Sequence, residues 1–535
     1  MSHQSSTNSG PKHTRRRFSR PTKNKNAPES AIKRAITASA LGNATEWFDY
    51  GVYAVATSYI AQHFFESFSH PRLLTLATFA VSFIVRPLGG FIWGPLGDKL
   101  GRKTVLTITI LMMSGATFLI GVLPTYQLIG AWAPFLLILL RIVQGFSTGG
   151  EYSGAATFMG EYAPDKRRGF FGSFLEFGSL SGYAAGSGIM LLLETVLSSD
   201  QMQSWGWRIP FLVALPLGLV GFYLRTRLED TPVFKELKEK QATTEKESAR
   251  QESKARSGDP DTAESPSLVQ LMKWYWQPLL IMGGMVTAVN IINYTLLTYM
   301  PTYFEQQLGL SATAALSVIL IGEVAMVAFM PISGRLSDRF GRKTNWYISL
   351  IGIGIVAIPL FWLMGKNIGL AIAGYAILGL LFIMQLGTIS ATFTAMFPTH
   401  VRSAGFAISY NVATAIFGGT AGLISDFFID VTGSLLVPAF YMTLGCVVGL
   451  VSVYFMTETA GASLHGEDVP GSVGSAVVEG SPAYEALESG QQPEQRNMTE
   501  DEMRQEAKET AQEAEEDTAE DDGTDEQGQD AKNDS

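Results

Sequence analysis

Cysteine is nearly absent: Cys446 stands alone inside an apolar run. A disulfide framework and a cysteine-based metal site are therefore excluded, and Cys446 reads as a small packing residue. Charge is scarce as well. Only 16 % of residues are Asp, Glu, Lys or Arg, where a soluble protein carries about a quarter. There is no P-loop, so ATP does not drive this chain directly, and no HExxH or comparable metal spacing. His63, His70 and His400 are isolated near helix ends. An enzyme, a cofactor, a metal and a nucleic-acid partner are all unexpected.

The little charge there is sits at the ends. Residues 1–35 hold nine Lys/Arg against Glu29, and residues 457–535 hold twenty-three Asp/Glu against four basic residues. The net charge of −10 thus belongs to the tail and says nothing about partners of the middle. Thr14-Arg15-Arg16-Arg17-Phe18 looks like a twin-arginine signal, but polar and basic residues follow it rather than an apolar stretch, so a basic cytoplasmic tail is expected.

Apolar residues make up 47 % of the chain, with mean hydropathy +0.16. Spanning the hydrocarbon core takes about 20 of them in a helix. Runs of that kind fall at roughly 36–65, 73–97, 105–124, 131–160, 170–197, 208–227, 277–304, 313–336, 346–364, 368–396, 403–429 and 436–456. The expected fold is an all-α membrane protein of twelve transmembrane helices. The runs are too long and too continuously apolar for a membrane barrel.

Lys and Arg in short loops set the orientation. Lys99/Arg102/Lys103, Lys166/Arg167/Arg168, Arg335/Arg339/Arg342/Lys343 and Arg402 fall on one side, and the alternate loops are nearly bare. Both termini are expected on the cytoplasmic face of a bacterial inner membrane. Residues 228–275 are rich in Lys, Glu, Gln and Ser. They read as a cytoplasmic linker between two six-helix bundles, 36–227 and 276–456. The acidic tail at 457–535 is too poor in apolar residues to build a core. Residues 498–520 favour a helix but contain no Leu, Ile or Val, which leaves a coiled-coil seam without support.

An internal repeat is the strongest signal. Gly94-Pro-Leu-Gly-Asp98-Lys-Leu-Gly101-Arg102-Lys103 recurs as Gly334-Arg-Leu-Ser-Asp338-Arg-Phe-Gly341-Arg342-Lys343. Both copies join the second and third spans of their half. A tight turn needs glycine, and an Asp beside Arg or Lys can bond neighbouring helix ends. Pro164…Arg168 and Pro398…Arg402 echo the same repeat.

This repeated turn in a twelve-span chain resembles the major facilitator superfamily. Residues 42–53, Arg86-Pro87, Gly145–Tyr152 and Trp205–Phe211 are similar to its metabolite:proton symporters. Leu297–Tyr303 and Ala395–Arg402 resemble the members that import osmoprotectants. The resemblance covers about residues 31–458. It implies two pseudo-symmetric bundles acting as a monomeric transport unit. It also implies H+-driven uptake of a small zwitterion such as proline, glycine betaine or an ectoine-like solute. The acidic tail departs from the coiled coil of some osmosensing members. Glu161 and Arg168 match the acidic and basic residues of a superfamily gating motif, and Arg402 is its echo in the second half.

Ionisable groups inside spans are expensive and mark function: Glu46, Asp49, Arg86, Arg141, Glu151, Glu176, Glu323 and Asp426. Asp49 and Arg141 match the coupling pair of related sugar:proton symporters and are expected to meet. Glu46, three residues before Asp49, is the rival proton carrier, since nearby carboxylates repel. Glu151 reads equally as a substrate contact or a packing group. Glu176, Glu323 and Asp426 read as structural, the last near the outer face. Trp47, Phe48, Tyr50, Tyr53, Phe146, Tyr152, Tyr294 and Tyr299 could surround an ammonium, each ring contributing about 0.5–2 kcal/mol of cation–π attraction. Arg141, Asn290 or Asn293 could receive the carboxylate, with Gln385 and Asn411 as further polar contacts. A di- or tricarboxylate would need two cations, which Arg86 and Arg141 could supply. A non-transporting osmosensor is the reading from a different class, and the intramembrane carboxylates argue against it.

Overall fold

The computed structural model describes residues 29–226, 272–273, 275–397 and 401–464, apart from 101, 150 and 463. The expectations for residues 1–28, for the linker at 228–271 and for the tail beyond 464 lie outside them. The described residues belong to one compact unit, Met1–Val473.

Every described element is helical. In the first half, α1 is Glu29–Val55, continued by Thr57–Phe65, and α2 is Pro71–Leu100. α3 is Arg102–Val122, and α4 is Trp132–Thr148, continued by Glu151–Tyr162. α5 is Arg168–Val196 and α6 is Ile209–Thr226. In the second half, α7 is Trp276–Asn293 and runs on through Tyr294–Gln307. α8 is Ala312–Phe340, α9 is Arg342–Met364, and α10 is Ile368–Leu386, continued by Ile389–Phe393. α11 is Arg402–Phe417, continued by Thr420–Thr432, and α12 is Val437–Phe455. These are the twelve expected spans.

Among the described residues, nine spans are long and apolar enough to cross a membrane by length and composition. α3 contributes a shorter apolar stretch, Thr107–Val122. α1 and α5 carry Glu46, Asp49 and Glu176, all buried. Large apolar side chains are exposed around the outside instead, among them Ile84, Leu88, Leu192, Ile355, Leu444 and Val451. Lipid tails solvate such a surface.

The pairing of helices is symmetric. Within the first half α1 packs on α5, α2 on α4 and α3 on α6. Within the second, α7 packs on α11, α8 on α10 and α9 on α12. Between the halves α5 lies along α8 and α2 lies along α11. Exchanging each helix for its equivalent in the other half (α5 for α11, α8 for α2) turns the first cross-pair into the second, as a two-fold relation between bundles requires.

Small residues permit the closest approaches. Gly178, Gly182 and Gly186 form one stripe of α5, four residues apart, against α1. A Cβ on Gly182 would stand 2.3 Å from the Ala44 carbonyl oxygen. α7 departs from regular helix at its continuation. Tyr294–Tyr299 and Tyr303–Gln307 are π-helical around the turn Met300–Thr302. Such wide turns recur at functional sites, and here they lie beside Pro301, which has no N–H to give.

Candidate transport site and gates

The centre of the molecule is an aromatic cluster on α1, α4, α5, α7 and α11. Trp47 stands 5.5 Å from Tyr50, 5.8 Å from Tyr183, and 6.4 Å from both Tyr152 and Tyr294. Tyr152 stacks on Tyr410 at 4.4 Å. The cavity between these rings is about 10 Å³, and Trp47, Tyr152, Glu176, Tyr183, Asn290, Asn293 and Tyr410 line it. That is room for about one water, so a solute enters only when the side chains spread. The Tyr152 hydroxyl donates to Glu176. Trp47 Nε1 and the Tyr294 hydroxyl are buried with no hydrogen-bond partner among the described residues.

Two arginines flank this cluster. Arg86 Nη2 donates to the Tyr50 hydroxyl at 2.9 Å, its Nε donates to Thr148 at 3.1 Å, and Glu46 is 3.8 Å away. Arg141 lies over the Tyr53 ring at 4.0 Å and donates to Gln144 at 2.8 Å. Gln144 in turn donates to Thr117 at 2.5 Å, and Thr117 is the hydroxyl beside Asp49. The expected direct pair of Asp49 with Arg141 is thus not formed here. Both groups are buried in one polar cluster, with Gln144 and Thr117 between them.

The remaining expected contacts divide. Asn290 is held by the Val286 carbonyl and the Thr414 hydroxyl, and Asn293 faces the cavity. Tyr53 donates to the Thr75 carbonyl. Both amide atoms of the buried Gln385 side chain lack a hydrogen-bond partner among the described residues. Glu151 accepts from Thr109 on α3 at 3.4 Å and does not line the cavity. Phe146 lies against Trp93, whose indole N–H donates to the Phe146 carbonyl, and it does not line the cavity. Asn411 reaches across the halves to the Gly149 carbonyl at 2.7 Å.

Contacts between the two halves lie at both ends of the central cluster. At the end of the second-half turn, Asp338 accepts from the backbone N–H groups of Gly169 and Phe170, each at 2.8 Å. Arg342 Nη2 donates to the same carboxylate at 2.8 Å. Gly334 and Gly169 are both required: a Cβ on either would meet the other's carbonyl oxygen within 2.6 Å. Gly341 has φ +96°, a region that disfavours other residues. Arg402 pairs with Glu161 across the halves at 2.8 Å. Arg168 instead pairs with Asp165 and donates to the Ala462 carbonyl at 2.8 Å. Of the first-half turn, Gly101, the packing around Gly94 and the side chains of Asp98 and Arg102 lie outside what the structure describes.

At the opposite end, Arg72 of α2 bridges Asp426 at 2.5 Å and Asp430 at 2.8 Å, both on the α11 continuation. Tyr299 and Gln307 also donate to Asp426. A vestibule of about 300 Å³, lined by Thr57, Ser58, Arg72, Thr302 and Gln306, lies outside this latch.

Sequence reasoning did not single out Tyr183, Tyr410 or Arg72 and read Glu176 and Asp426 as structural groups; Glu176 lines the cavity and Asp426 pairs with Arg72. Tyr183 carried one usable signal: a large ring inside the glycine-rich stretch Gly182–Gly188 must project into space. Arg72 gave none, since its partner is more than 350 residues away.

A two-bundle fold with a buried central cluster and contacts between the halves at each end is the architecture of a membrane transporter. The profile of the sugar (and other) transporter family matches residues 35–469, and the chain belongs to that family, within the major facilitator superfamily. It is a multi-pass membrane transporter and not an enzyme. It is 40 % identical over 441 residues to the proline/betaine transporter of Escherichia coli K12, covering 82 % of this chain and 86 % of that one. It is 41 % identical over 442 residues to the glycine betaine/proline/ectoine/pipecolic acid transporter OusA of Dickeya dadantii, with the same coverage. Among solved structures, the proton:xylose symporter XylE bound to 6-bromo-6-deoxy-D-glucose superposes with a TM-score of 0.65 at 20 % identity, over 82 % of this chain and 98 % of that one.

Proposed function

We propose that the chain imports a small zwitterion of the proline, glycine betaine or ectoine type, with H+ as the coupling ion and without a cofactor. The observation that carries this reading is the central aromatic cluster. Rings of Trp47, Tyr152, Tyr183 and Tyr410 with the Glu176 carboxyl beside them suit an ammonium. Trp47 Nε1 has no hydrogen-bond partner among the described residues and its side chain lines the cavity, which suits a carboxylate at the other end of the same molecule. The solutes for which the relatives are named, among them proline, betaine and ectoine, are of this chemistry. A di- or tricarboxylate fits less well, because Arg86 and Arg141 lie outside the cavity lining and are engaged by Tyr50, Thr148 and Gln144. The basic loops support an orientation in which the Asp338 end and both termini face the cytoplasm of a bacterial cell with the chain in its inner membrane, and a single chain acting as the transport unit belongs to the same reading.

The test is uptake into proteoliposomes of radiolabelled proline, glycine betaine and citrate, with and without a protonophore. Accumulation of the first two, abolished by the protonophore, is expected. Accumulation of citrate alone would overturn the solute class, and protonophore-resistant accumulation would overturn the coupling ion.

A further inference from the structure

Glu323 lies on α8, in the seam where α8 runs along α5, the longest junction between the two halves. It is 0 % exposed, and neither carboxyl oxygen has a hydrogen-bond partner among the described residues. Its polar neighbours are Ser187 and Tyr183 of α5 and Tyr375 of α10. Both tyrosine hydroxyls are occupied by the α7 continuation: Tyr183 with the Thr298 hydroxyl at 3.2 Å, Tyr375 with the Leu296 carbonyl at 3.2 Å. Among the described residues no basic group stands against the carboxyl. The central machinery does not use Glu323, which does not line the cavity.

An ionised carboxylate buried without a partner costs several kcal/mol. With the seam closed, Glu323 is therefore stable only as the neutral acid. Separation of α5 from α8 admits water and removes that constraint.

We propose that Glu323 is a proton-binding site that must be occupied for the α5–α8 seam to close, in the loaded and the empty carrier alike. The proton comes from water on the open side before closure and returns to water when the seam reopens. Because the same proton is needed in both directions, it adds nothing to the net H+:solute ratio. It makes the rate of closure depend on pH. This rests on the reading above of a carrier whose halves separate and close.

Two measurements test it. The first is the maximal rate of solute exchange at equal pH on both sides, with saturating proline or glycine betaine. One proton per closure gives about a tenfold fall per pH unit on the alkaline limb. Glu323→Gln, which mimics the neutral acid, is expected to flatten that limb, and Glu323→Asp to retain it. A solute-linked proton elsewhere would move the half-saturation constant instead. The second needs no solute. A Cβ on Gly188 would lie 3.8 Å from Leu320 across the seam. Gly188→Cys with Leu320→Cys, in a Cys446→Ala background, is treated with a short bifunctional maleimide across a pH series. Cross-linking relative to the same pair carrying Glu323→Gln is expected to fall as pH rises. A wild-type maximal exchange rate with no alkaline limb, or a limb unchanged in Glu323→Gln, would overturn the proposal. So would a cross-linking ratio independent of pH. Absence of any exchange of either zwitterion would instead overturn the solute assignment and leave the cross-linking result to decide on Glu323.

Discussion

The Asp338 carboxylate accepts the backbone N–H of Gly169 at 2.8 Å, across the boundary between the two halves. It thereby caps the first turn of α5, where unpaired N–H groups and the helix dipole favour an anion. Arg342 holds the same carboxylate from behind. Because this contact joins the two halves, separating them at that end would break it, and its energy would then act on one state of the cycle and not the other.

Asp338→Asn removes the charge from these bonds. A bond to a charged group contributes about 1.5–3 kcal/mol, so the closed end is expected to lose about ten- to a hundredfold in population. Transport rate should fall by a comparable factor while equilibrium solute binding changes little. Initial-rate uptake and a binding titration on the same preparation check this. A wild-type turnover rate in Asp338→Asn would remove the turn from the mechanism.

The opposite latch should behave in the same way through different residues. Asp426 is fully buried while Arg72 is partly exposed. Removing Arg72 strands a buried carboxylate that, among the described residues, keeps the Tyr299 and Gln307 hydrogen bonds, a loss expected at the lower end of the about 3–5 kcal/mol typical for breaking a buried pair. Arg72→Gln and Asp426→Asn should each lower uptake about tenfold or more. The exchanged pair, Arg72→Asp with Asp426→Arg, should recover part of it. If the exchanged pair is worse than both single variants, the ion pair is not the latch.

Much of this architecture was legible because membrane helices write themselves as long apolar runs. The twelve runs and the duplicated turn led directly to the observed helices and to Asp338 at a helix end. The site was legible only in part. Glu46, Trp47, Asp49 and Arg141 stood out because each is a costly or bulky group in an apolar helix. Their partners did not. Whether Arg141 meets Asp49 directly or through Gln144 and Thr117 depends on side-chain packing between three helices, which spacing along one helix does not encode. Glu161 matched a motif together with Arg168, yet it bonds Arg402 from the other half. Long-range pairs of this kind leave no local trace.

The segment after α12 sets the limit of a tolerable truncation. Glu458 accepts from the backbone N–H groups of Arg342 and Lys343 at the start of α9. The carbonyls of Ala462 and Leu464 accept from Arg168 and Arg402. Ending the chain after Glu467 keeps all of these and should leave basal uptake intact. The response of uptake to osmolality should shift, since the removed segment is strongly acidic and ionic strength screens it. Ending the chain after Met456 removes them, leaves two buried arginines short of acceptors, and should lower both uptake and thermal stability. Equal behaviour of the two truncations would show that the 458–464 contacts do not matter.

The assignment of the proton carrier turns on two acids of α1 that face different arginines. Glu46 stands 3.8 Å from Arg86, while Asp49 connects to Arg141 through Thr117 and Gln144. A lone charge near the bilayer centre costs about 2.5–3.5 kcal/mol even on the lenient insertion scale. Each acid is therefore stable ionised only while its arginine answers it. Protonation of Asp49 would release Arg141 and its relay, which lie outside the cavity lining here, and a solute carboxylate could draw on those donors once the side chains around the cavity spread. Proton and solute binding would favour each other, as coupling requires. Asp49→Asn mimics the protonated state. It should still exchange solute across a membrane with no gradient, but accumulation driven by ΔpH should vanish. Thr117→Val interrupts the relay without touching either charge and should weaken coupling without abolishing exchange. Glu46→Gln should keep ΔpH-driven accumulation and raise the half-saturation constant, because it frees Arg86 beside Tyr50 rather than the relay. Counterflow and ΔpH-driven uptake, measured side by side for the three variants, separate these outcomes. If Asp49→Asn still concentrates solute in a proton gradient and Glu46→Gln does not, the carrier of the proton is Glu46, and Arg86 rather than Arg141 is its switch.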